Sequence, residues 1–231
     1  MAQGEWLDRL ISLALEEDVG PGDWTTTWTV GTDARGNAAI VAKEPLVAAG
    51  TEAAAQVFLR VETTLAVERR IEDGAEVQRG EVLLEISGPL RGILTAERTA
   101  LNFLGRLSGI ATLTRRFVAA VSGTGTRVLD TRKTTPGWRC LEKAAVAAGG
   151  GLNHREGLHD MVLVKDNHIL AAGGVAAAVE GVRRGNRNGL PVEVEVGDLD
   201  QLEEAFSLGV RRILLDNMRL ETMREAVRRA K

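Results

Sequence analysis

Hydrophobic and polar positions predict mixed helices and short strands in the first part of the chain. Residues 6–14 repeat apolar side chains at helical spacing, and Thr51 can cap a second helix that runs to about Leu59. Residues 65–90 instead form short strand-like runs, separated by glycine-containing turns at Asp73-Gly74 and Arg79-Gly80. We therefore predict a small N-terminal α+β, sandwich-like domain over residues 1–94, with mostly antiparallel strands.

The pattern changes from Thr95 onward, where Thr95 can cap a helix with Glu97 in its first turn. After Gly123, strand-like and helical runs alternate. The predicted strands are 127–130, 161–165, 191–196 and 212–216, and the predicted helices are 138–148, 174–184, one capped by Asp198 and one from 220. Such alternation favours a parallel sheet, and closure into a barrel is one way to bury it. We predict an α/β fold whose residues 95–231 form an incomplete parallel α/β barrel.

Polar residues follow three of the predicted strands directly. They are Asp130 to Lys133, Lys165 to His168, and Asp216 with Asn217. Since the C-terminal strand ends of a parallel barrel face one site, these groups would be brought to one place. Ordinary solvation of loops is the alternative explanation.

Two glutamates alternate with valines in the strand Val192–Val196. Glu193 and Glu195 therefore share one side of that strand. In a closed barrel they would point inward, where a carboxylate needs a cation or a metal. An edge strand with its acidic side in water is the alternative, but strands that alternate with helices are usually covered on both faces.

A basic cluster lies on successive strand ends and loops. Its members are Arg132, Lys133, His154, Arg155 and Lys165. Arginine binds carboxylate or phosphate through two hydrogen bonds, and Glu195 with Asp216 could hold Mg²⁺ against phosphate oxygens. The cluster indicates a multiply anionic substrate together with a magnesium-bound pyrophosphate.

Zinc is a weaker interpretation of the three histidines, His154, His159 and His168. Their spacing contains no helical i, i+4 pair, and Cys140 is the sole cysteine. Cys140 itself lies in a predicted helix beside Leu141 and is interpreted as a packing residue.

Composition narrows the class of protein. The net charge is −3 and no long basic run occurs, which argues against nucleic-acid binding. A single cysteine fits a reducing compartment, and the first residues show no secretory pattern. The longest small-apolar stretch, 169–179, is about half of a membrane span. We expect a cytoplasmic protein that does not enter the membrane.

The polar strand ends belong to motifs that resemble the quinolinate phosphoribosyltransferases, also called carboxylating nicotinate-nucleotide pyrophosphorylases. The motifs occur in the family's order along essentially the whole chain. They are Glu17 to Thr26, Glu97 to Leu104, Thr131 to Gly137, Gly149 to Arg155, Lys165 to His168, Glu193 to Val196, and Leu214 to Asn217.

The resemblance implies a function and a set of site residues. The substrates would be quinolinate and phosphoribosyl pyrophosphate, with Mg²⁺, in a homodimer or higher homo-oligomer whose small domains close the partners' barrels. Arg98 would reach the neighbouring subunit's quinolinate. The quinolinate carboxylates would be bound by Arg132, His154, Arg155 and Lys165, and the catalytic groups near the phosphoribosyl pyrophosphate would be Lys133, Glu195 and Asp216.

The chain departs from the family pattern after Asp216-Asn217, where the family continues with two more strands and glycine-rich turns. We therefore expect a C-terminally truncated chain, either a fragment or a defective relative. Three alternatives stay open: a related transferase for another aromatic acid, an inactive truncated paralogue, and an inactive partner subunit that supplies Arg98. A biotin- or lipoyl-carrier domain is excluded, because such a domain needs an acceptor lysine and no lysine occurs between Lys43 and Lys133.

Overall fold

The structure is a computed structural model that describes residues 3–230, with side chains from residue 4 onward. Contacts within the chain divide it after His154 into two compact units, and each unit is described by itself. Within residues 3–230 no helix is both long enough and apolar enough to span a membrane.

The first unit combines helices with two small antiparallel sheets. Its helices are α1 (Gln3–Val19), α2 (Trp24–Thr29), α3 (Thr51–Val61), α4 (Leu90–Ala120) and α5 (Arg139–Ala148). Its strands are β1 (Arg35–Val41), β2 (Leu46–Val47), β3 (Ala66–Arg69), β4 (Glu76–Val77) and β5 (Val82–Pro89). The larger sheet has the strand order β1-β5-β3 and the smaller one pairs β2 with β4, and Ile40 lies opposite Leu84 in the larger sheet. The predicted N-terminal α+β character is confirmed.

Helix α4 begins earlier than Thr95, so the predicted start was wrong. Leu90 opens the helix directly after β5, and its amide donates to Ala34 O at 2.9 Å. The Thr95 hydroxyl donates to Asp23 Oδ2 at 2.9 Å, inside the helix. The apolar face of α4 is already buried at Ile93, so the chain gains core contacts from the first turn.

The start of α3 is capped by a distant side chain rather than by Thr51. Asp73 Oδ2 accepts from the Gly50 amide at 2.8 Å, and Asp73 Oδ1 accepts from the Thr51 amide at 3.0 Å and its hydroxyl at 2.7 Å. The carboxylate thereby satisfies amides that a helix start leaves without partners. The turn at Asp73-Gly74, predicted from the sequence, is also a helix cap.

Replacing Asp73 with alanine is expected to lower the free energy of unfolding by about 1–2 kcal/mol, because two helix-start amides lose their acceptor. Urea denaturation measures this loss. Glu72→Ala is the matched control: Glu72 is 78% exposed and makes only 3.4 Å contacts with Arg69. Its expected change is within about 0.5 kcal/mol. Equal stability of the two variants would contradict the cap.

The second unit is built on a parallel sheet. Its strands are β6 (Val162–Val164), β7 (Val192–Val196) and β8 (Ile213–Leu215), in the order β6-β7-β8. Its helices are α6 (Asp166–Ala172), α7 (Val175–Gly185), α8 (Leu199–Ser207) and α9 (Leu220–Arg229). Val194 and Val196 are fully buried in the core that the helices form with the sheet. The predicted α/β class is confirmed, whereas closure of the sheet into a barrel stays a prediction.

One local prediction needs correction. The predicted strand 127–130 forms only an isolated parallel bridge between Leu129 and Leu152 in the first unit. The polar segment that follows β6 opens helix α6 at Asp166. Its first turn is closed locally: the Lys165 amide donates to His168 Nδ1 at 3.0 Å, and the His168 amide donates to Lys165 O at 2.8 Å. A polar run after a strand fits either a loop or a helix start.

Candidate active site

Strand β7 places both glutamates on one buried side of the parallel sheet, as the alternation predicts. Glu193 is 4% exposed and Glu195 is 8% exposed. Val194 and Val196 lie on the opposite side, where they are fully buried against the helices. Buried carboxylates need cationic partners, and each glutamate has one.

Glu195 pairs with a lysine at the end of the neighbouring strand. Lys165 follows β6 directly, and its Nζ lies 2.7 Å from Glu195 Oε2. The lysine side chain is 42% exposed, whereas that of Glu195 is 9% exposed. The open, C-terminal end of the sheet therefore carries a cation that a soluble anion can reach.

Glu193 pairs with Arg212, a residue that sequence reasoning missed. Arg212 Nε lies 2.6 Å from Glu193 Oε2, immediately before β8. The sequence did contain a signal for Arg212, because two carboxylates on the buried side of one strand need two cationic partners. Arg212 therefore neutralises Glu193 near the start of β7, whereas Glu195 lies nearer the C-terminal end of the strand.

Asp216 lies at the C-terminal end of β8, next to β7. Its amide donates to Val196 O at 3.0 Å, and its Oδ2 accepts from Asn217 Nδ2 at 3.0 Å. Since Glu195 is in register with Leu214, two residues before Asp216, the two carboxylates project from the same face of the sheet. The structure brings Glu195, Lys165 and Asp216 to one end of the sheet, as predicted.

The carboxylate oxygens of Glu195 and Asp216, at the C-terminal end of the sheet, are suitable ligands for a hard cation such as Mg²⁺. Glu195 is buried and Asp216 is exposed. Within residues 3–230 no group of three or more histidine, cysteine, aspartate or glutamate residues is arranged to hold a metal. Mg²⁺ is commonly held by one or two carboxylates plus substrate phosphate oxygens, and this donor set fits that mode.

Arg155 is also in the second unit, just before β6. It is 8% exposed, and its Nη1 donates to Met161 O at 3.2 Å. A buried guanidinium with a backbone partner is held in one orientation, because few rotamers keep that bond. Its predicted role in binding substrate stays a prediction.

In the first unit, a buried ion pair joins the segments that carry Arg132 and His154. Asp130 and Lys143 form a salt bridge with side chains 6% and 2% exposed. Asp130 Oδ1 also accepts from the His154 amide at 2.8 Å. With its nitrogen toward the carboxylate, the Asn153 amide donates to Asp130 Oδ2 at 2.8 Å and to Lys143 O at 3.0 Å. Sequence reasoning assigned no role to Lys143 or Asn153.

The loop 131–137 presents an arginine with an unsatisfied donor. Arg132 is half-buried, and its Nε is a buried atom without a hydrogen-bond partner in the described part of the chain. A buried donor without a partner costs about 1–3 kcal/mol, so such a group is expected to gain a ligand. Lys133 is exposed on the same loop, and its amide donates to Thr131 Oγ1 at 3.0 Å.

Residues distant in sequence hold this loop in place. Arg106 on α4 donates through Nε to Glu142 Oε1 at 3.0 Å, and the Thr135 amide donates to Glu142 Oε2 at 3.2 Å. The Trp6 indole donates to Gly137 O at 2.7 Å. Arg106 and Trp6 lie 36 and 131 residues away from the groups they bind, so the sequence alone gave no signal for these contacts.

Glu142 should make stability depend on pH. Burial would raise its pKa, but hydrogen bonds from Arg106 and Thr135 and the guanidinium charge lower the pKa below the ordinary value of 4.5. Because the folded-state pKa is the lower one, ionised Glu142 stabilises the fold above about pH 4.5, and this stability is lost as the pH falls through the folded-state pKa.

Glu142→Gln is therefore expected to be less stable than the unchanged chain at neutral pH. The difference between their free energies of unfolding should shrink as the pH falls below 4.5. Urea denaturation at a series of pH values gives this difference directly. A difference that stays constant into acid would show that the carboxylate charge is not responsible.

Arg98 lies on the exposed side of α4. Its helix neighbours Thr95 and Thr99 hydrogen-bond to the motif Glu17 to Thr26, which is called the early motif below. Thr99 donates to Asp18 Oδ2 at 3.1 Å, as Thr95 does to Asp23. Arg98 lines one cleft of the first unit together with Asp18, Asp23 and Trp24. The structure thus places Arg98 beside the early motif, at an open cleft.

Family models match nearly the whole chain. The description "Quinolinate phosphoribosyl transferase, N-terminal domain" matches residues 23–108, and "Quinolinate phosphoribosyl transferase, C-terminal domain" matches residues 110–231. A probable carboxylating nicotinate-nucleotide pyrophosphorylase of Synechocystis sp. is 44% identical over 96% of this chain and 75% of its own length. The corresponding pyrophosphorylase of Mycobacterium leprae is 45% identical over 95% of this chain and 78% of its own length.

Solved structures give the same assignment. NadC from Streptococcus pyogenes superposes with a TM-score of 0.93 at 40% identity, over 99% of this chain and 81% of that one. The nicotinate-nucleotide pyrophosphorylase from Francisella tularensis gives a TM-score of 0.94 at 37% identity, over 100% of this chain and 81% of that one. With both family domains matched and relatives above 40% identity, the chain belongs to the quinolinate phosphoribosyltransferase family.

Proposed function

We propose that the chain transfers a phosphoribosyl group from phosphoribosyl pyrophosphate to quinolinate and decarboxylates the product. The products are nicotinate mononucleotide, pyrophosphate and CO₂. Membership of the family supports this function, and relatives bear names that state it. The observation in the molecule that carries it is Arg132, which offers a buried, unpartnered Nε donor on the loop that matches the family's motif.

The quinolinate carboxylates are assigned to the cationic groups that match the family's motifs. These are Arg132, His154, Arg155 and Lys165. Two carboxylates on one small ring require several donors, because a doubly charged substrate loses its hydration on binding. Charge-assisted bonds from arginine and lysine replace that hydration with shorter and stronger contacts.

Phosphoribosyl pyrophosphate is assigned to Lys133, Glu195 and Asp216. Lys133 is exposed on its loop and can meet a phosphate as a point charge. Glu195 and Asp216 project from one face at the end of the sheet, where they would hold Mg²⁺ with the pyrophosphate oxygens. When bound, Mg²⁺ neutralises charge on the leaving pyrophosphate.

The reaction places different demands on these groups. The pyridine nitrogen of quinolinate attacks the anomeric carbon of the ribose while the bond to pyrophosphate breaks. Positive charge develops on the ribose, and carboxylates at fixed positions stabilise it without reorganising. The pyridinium intermediate then loses its adjacent carboxylate as CO₂, because the ring nitrogen stabilises the carbanion, and the carbanion takes up a proton from water to give nicotinate mononucleotide.

A homodimer or higher homo-oligomer is part of the proposal. Arg98 lies near large apolar side chains that are exposed in the first unit: Trp24 is 51%, Trp28 is 77% and Leu94 is 44% exposed. Exposed aromatic residues grouped near an arginine are typical of interfaces. Sedimentation equilibrium is expected to give at least a dimer at micromolar concentration, and a monomer at every concentration would contradict this.

We propose the cytoplasm as the location, because a single cysteine suits a reducing compartment.

The decisive experiment is product formation by the purified 231-residue chain from quinolinate, phosphoribosyl pyrophosphate and Mg²⁺. Chromatography should show nicotinate mononucleotide and pyrophosphate in equal amounts, with loss of labelled CO₂ from the quinolinate carboxyl next to nitrogen. The Mycobacterium leprae relative, assayed in parallel, controls the reagents. A folded chain that forms no product, while the relative does, would refute the proposed function.

A further inference from the structure

Lys143 is a buried cation without an assigned role in the proposed reaction. Its side chain is 2% exposed on α5, and its partner Asp130 is 6% exposed. Burial of both charges costs solvation energy, and an apolar pair of similar volume is often as stable. Stability alone is therefore a weak reason for an ion pair at this place.

The bonds of Asp130 show what the pair holds. Its Oδ1 accepts from the His154 amide, and its Oδ2 accepts from the Asn153 side chain. The backbone adds two bonds beside it: Asp130 N donates to Leu152 O at 3.1 Å, and Leu152 N donates to Val128 O at 2.8 Å. The carboxylate thus fixes the segment that ends in His154 against the segment that leads into Arg132.

We propose that Asp130 is a positioning residue, which sets the spacing between Arg132 and His154 for recognition of the quinolinate carboxylates. Asp130 holds the His154 amide, and Lys143 neutralises the buried carboxylate. The inference rests on the proposed function, because the ligand is quinolinate. It adds a residue that does not itself bind the substrate.

Two double variants without buried charge isolate this role. Asp130→Asn/Lys143→Met retains a side-chain oxygen that can accept from the His154 amide. Asp130→Leu/Lys143→Met has a similar volume and no acceptor. Neither leaves an uncompensated charge in the interior, so both are expected to fold, which circular dichroism checks.

The variant with leucine is expected to raise KM for quinolinate about tenfold or more over the variant with asparagine, since one charge-assisted contact with the substrate would be misplaced. KM for phosphoribosyl pyrophosphate should differ between the two by less than about threefold. Val57→Ala, a fully buried position on α3, controls for general loss of stability and should leave both KM values unchanged.

Equal quinolinate KM values in the two double variants would overturn the inference. It would also be overturned if the leucine variant raised KM for quinolinate and KM for phosphoribosyl pyrophosphate by the same factor. Failure of the proposed function looks different, because the unchanged chain would then form no product and bind no quinolinate in calorimetry. Amide hydrogen exchange at His154 tests the anchor without activity. Exchange should be faster with leucine than with asparagine at position 130, and equal rates would overturn the anchor itself.

Discussion

Replacing Arg132 with alanine is expected to lower kcat/KM for quinolinate by about 10³-fold, mainly through KM. Removing one partner of a desolvated charge pair costs about 2–5 kcal/mol, and about 1.4 kcal/mol corresponds to each factor of ten. Arg132 is the residue whose buried Nε has no partner in the described part of the chain, so substrate has a donor to satisfy there. Steady-state kinetics with quinolinate varied at saturating phosphoribosyl pyrophosphate measure the effect.

Two further variants sharpen the test. Arg132→Lys keeps the charge but loses the planar fork, so an intermediate loss is expected. Arg184→Ala is the control for removal of a cation: Arg184 is 74% exposed and pairs only loosely with Glu180 at 3.7 Å. It should leave kcat/KM unchanged. Near-normal kcat/KM in folded Arg132→Ala would exclude Arg132 from quinolinate recognition.

Replacing Glu195 with glutamine is expected to lower kcat by about 10²–10³-fold, the range seen when a preorganised electrostatic group is removed. Glu195 lies near the C-terminal end of β7, on the same face as Asp216. Its loss also leaves Lys165 without its carboxylate partner. The dependence of rate on Mg²⁺ should shift to higher concentration, which separates this variant from one that affects quinolinate alone.

Glu193 provides the matched control on the same strand. It is equally buried, projects to the same side and pairs with a half-exposed arginine, Arg212, as Glu195 pairs with a half-exposed lysine. Glu193→Gln should lower the free energy of unfolding by about 1 kcal/mol, after allowance for screening of Arg212 by water. Its kcat should change little. Similar losses of kcat in both variants would indicate that burial, not position at the strand end, explains the effect.

Patterns that act over short distances along the chain were well predicted. The alternation in Val192–Val196 predicted a strand with both glutamates on one side, and the structure places them there. Asp198 was predicted to cap the following helix, and it accepts from the Gln201 amide at 2.8 Å. Such features depend on periodicity and on neighbours within one turn, so the local sequence is sufficient.

Predictions failed where a local pattern had two solutions. Thr95 has the chemistry of a helix cap, but burial of the preceding apolar residues extends α4 back to Leu90. Thr51 likewise has a capping side chain, but Asp73, 22 residues away, supplies the acceptor. In both cases tertiary contacts selected among options that the local sequence left equivalent.

By itself, the sequence determined the α/β class, the ordered family motifs and the residue types of the candidate site, because these depend on local spacing and charge. Only the tertiary structure showed which cations neutralise which buried acids. Lys165 pairs with Glu195, Arg212 with Glu193 and Lys143 with Asp130. Pairing depends on the strand order and on the distance between side chains in space, and residues 13 to 30 positions apart in sequence have no local pattern that fixes either.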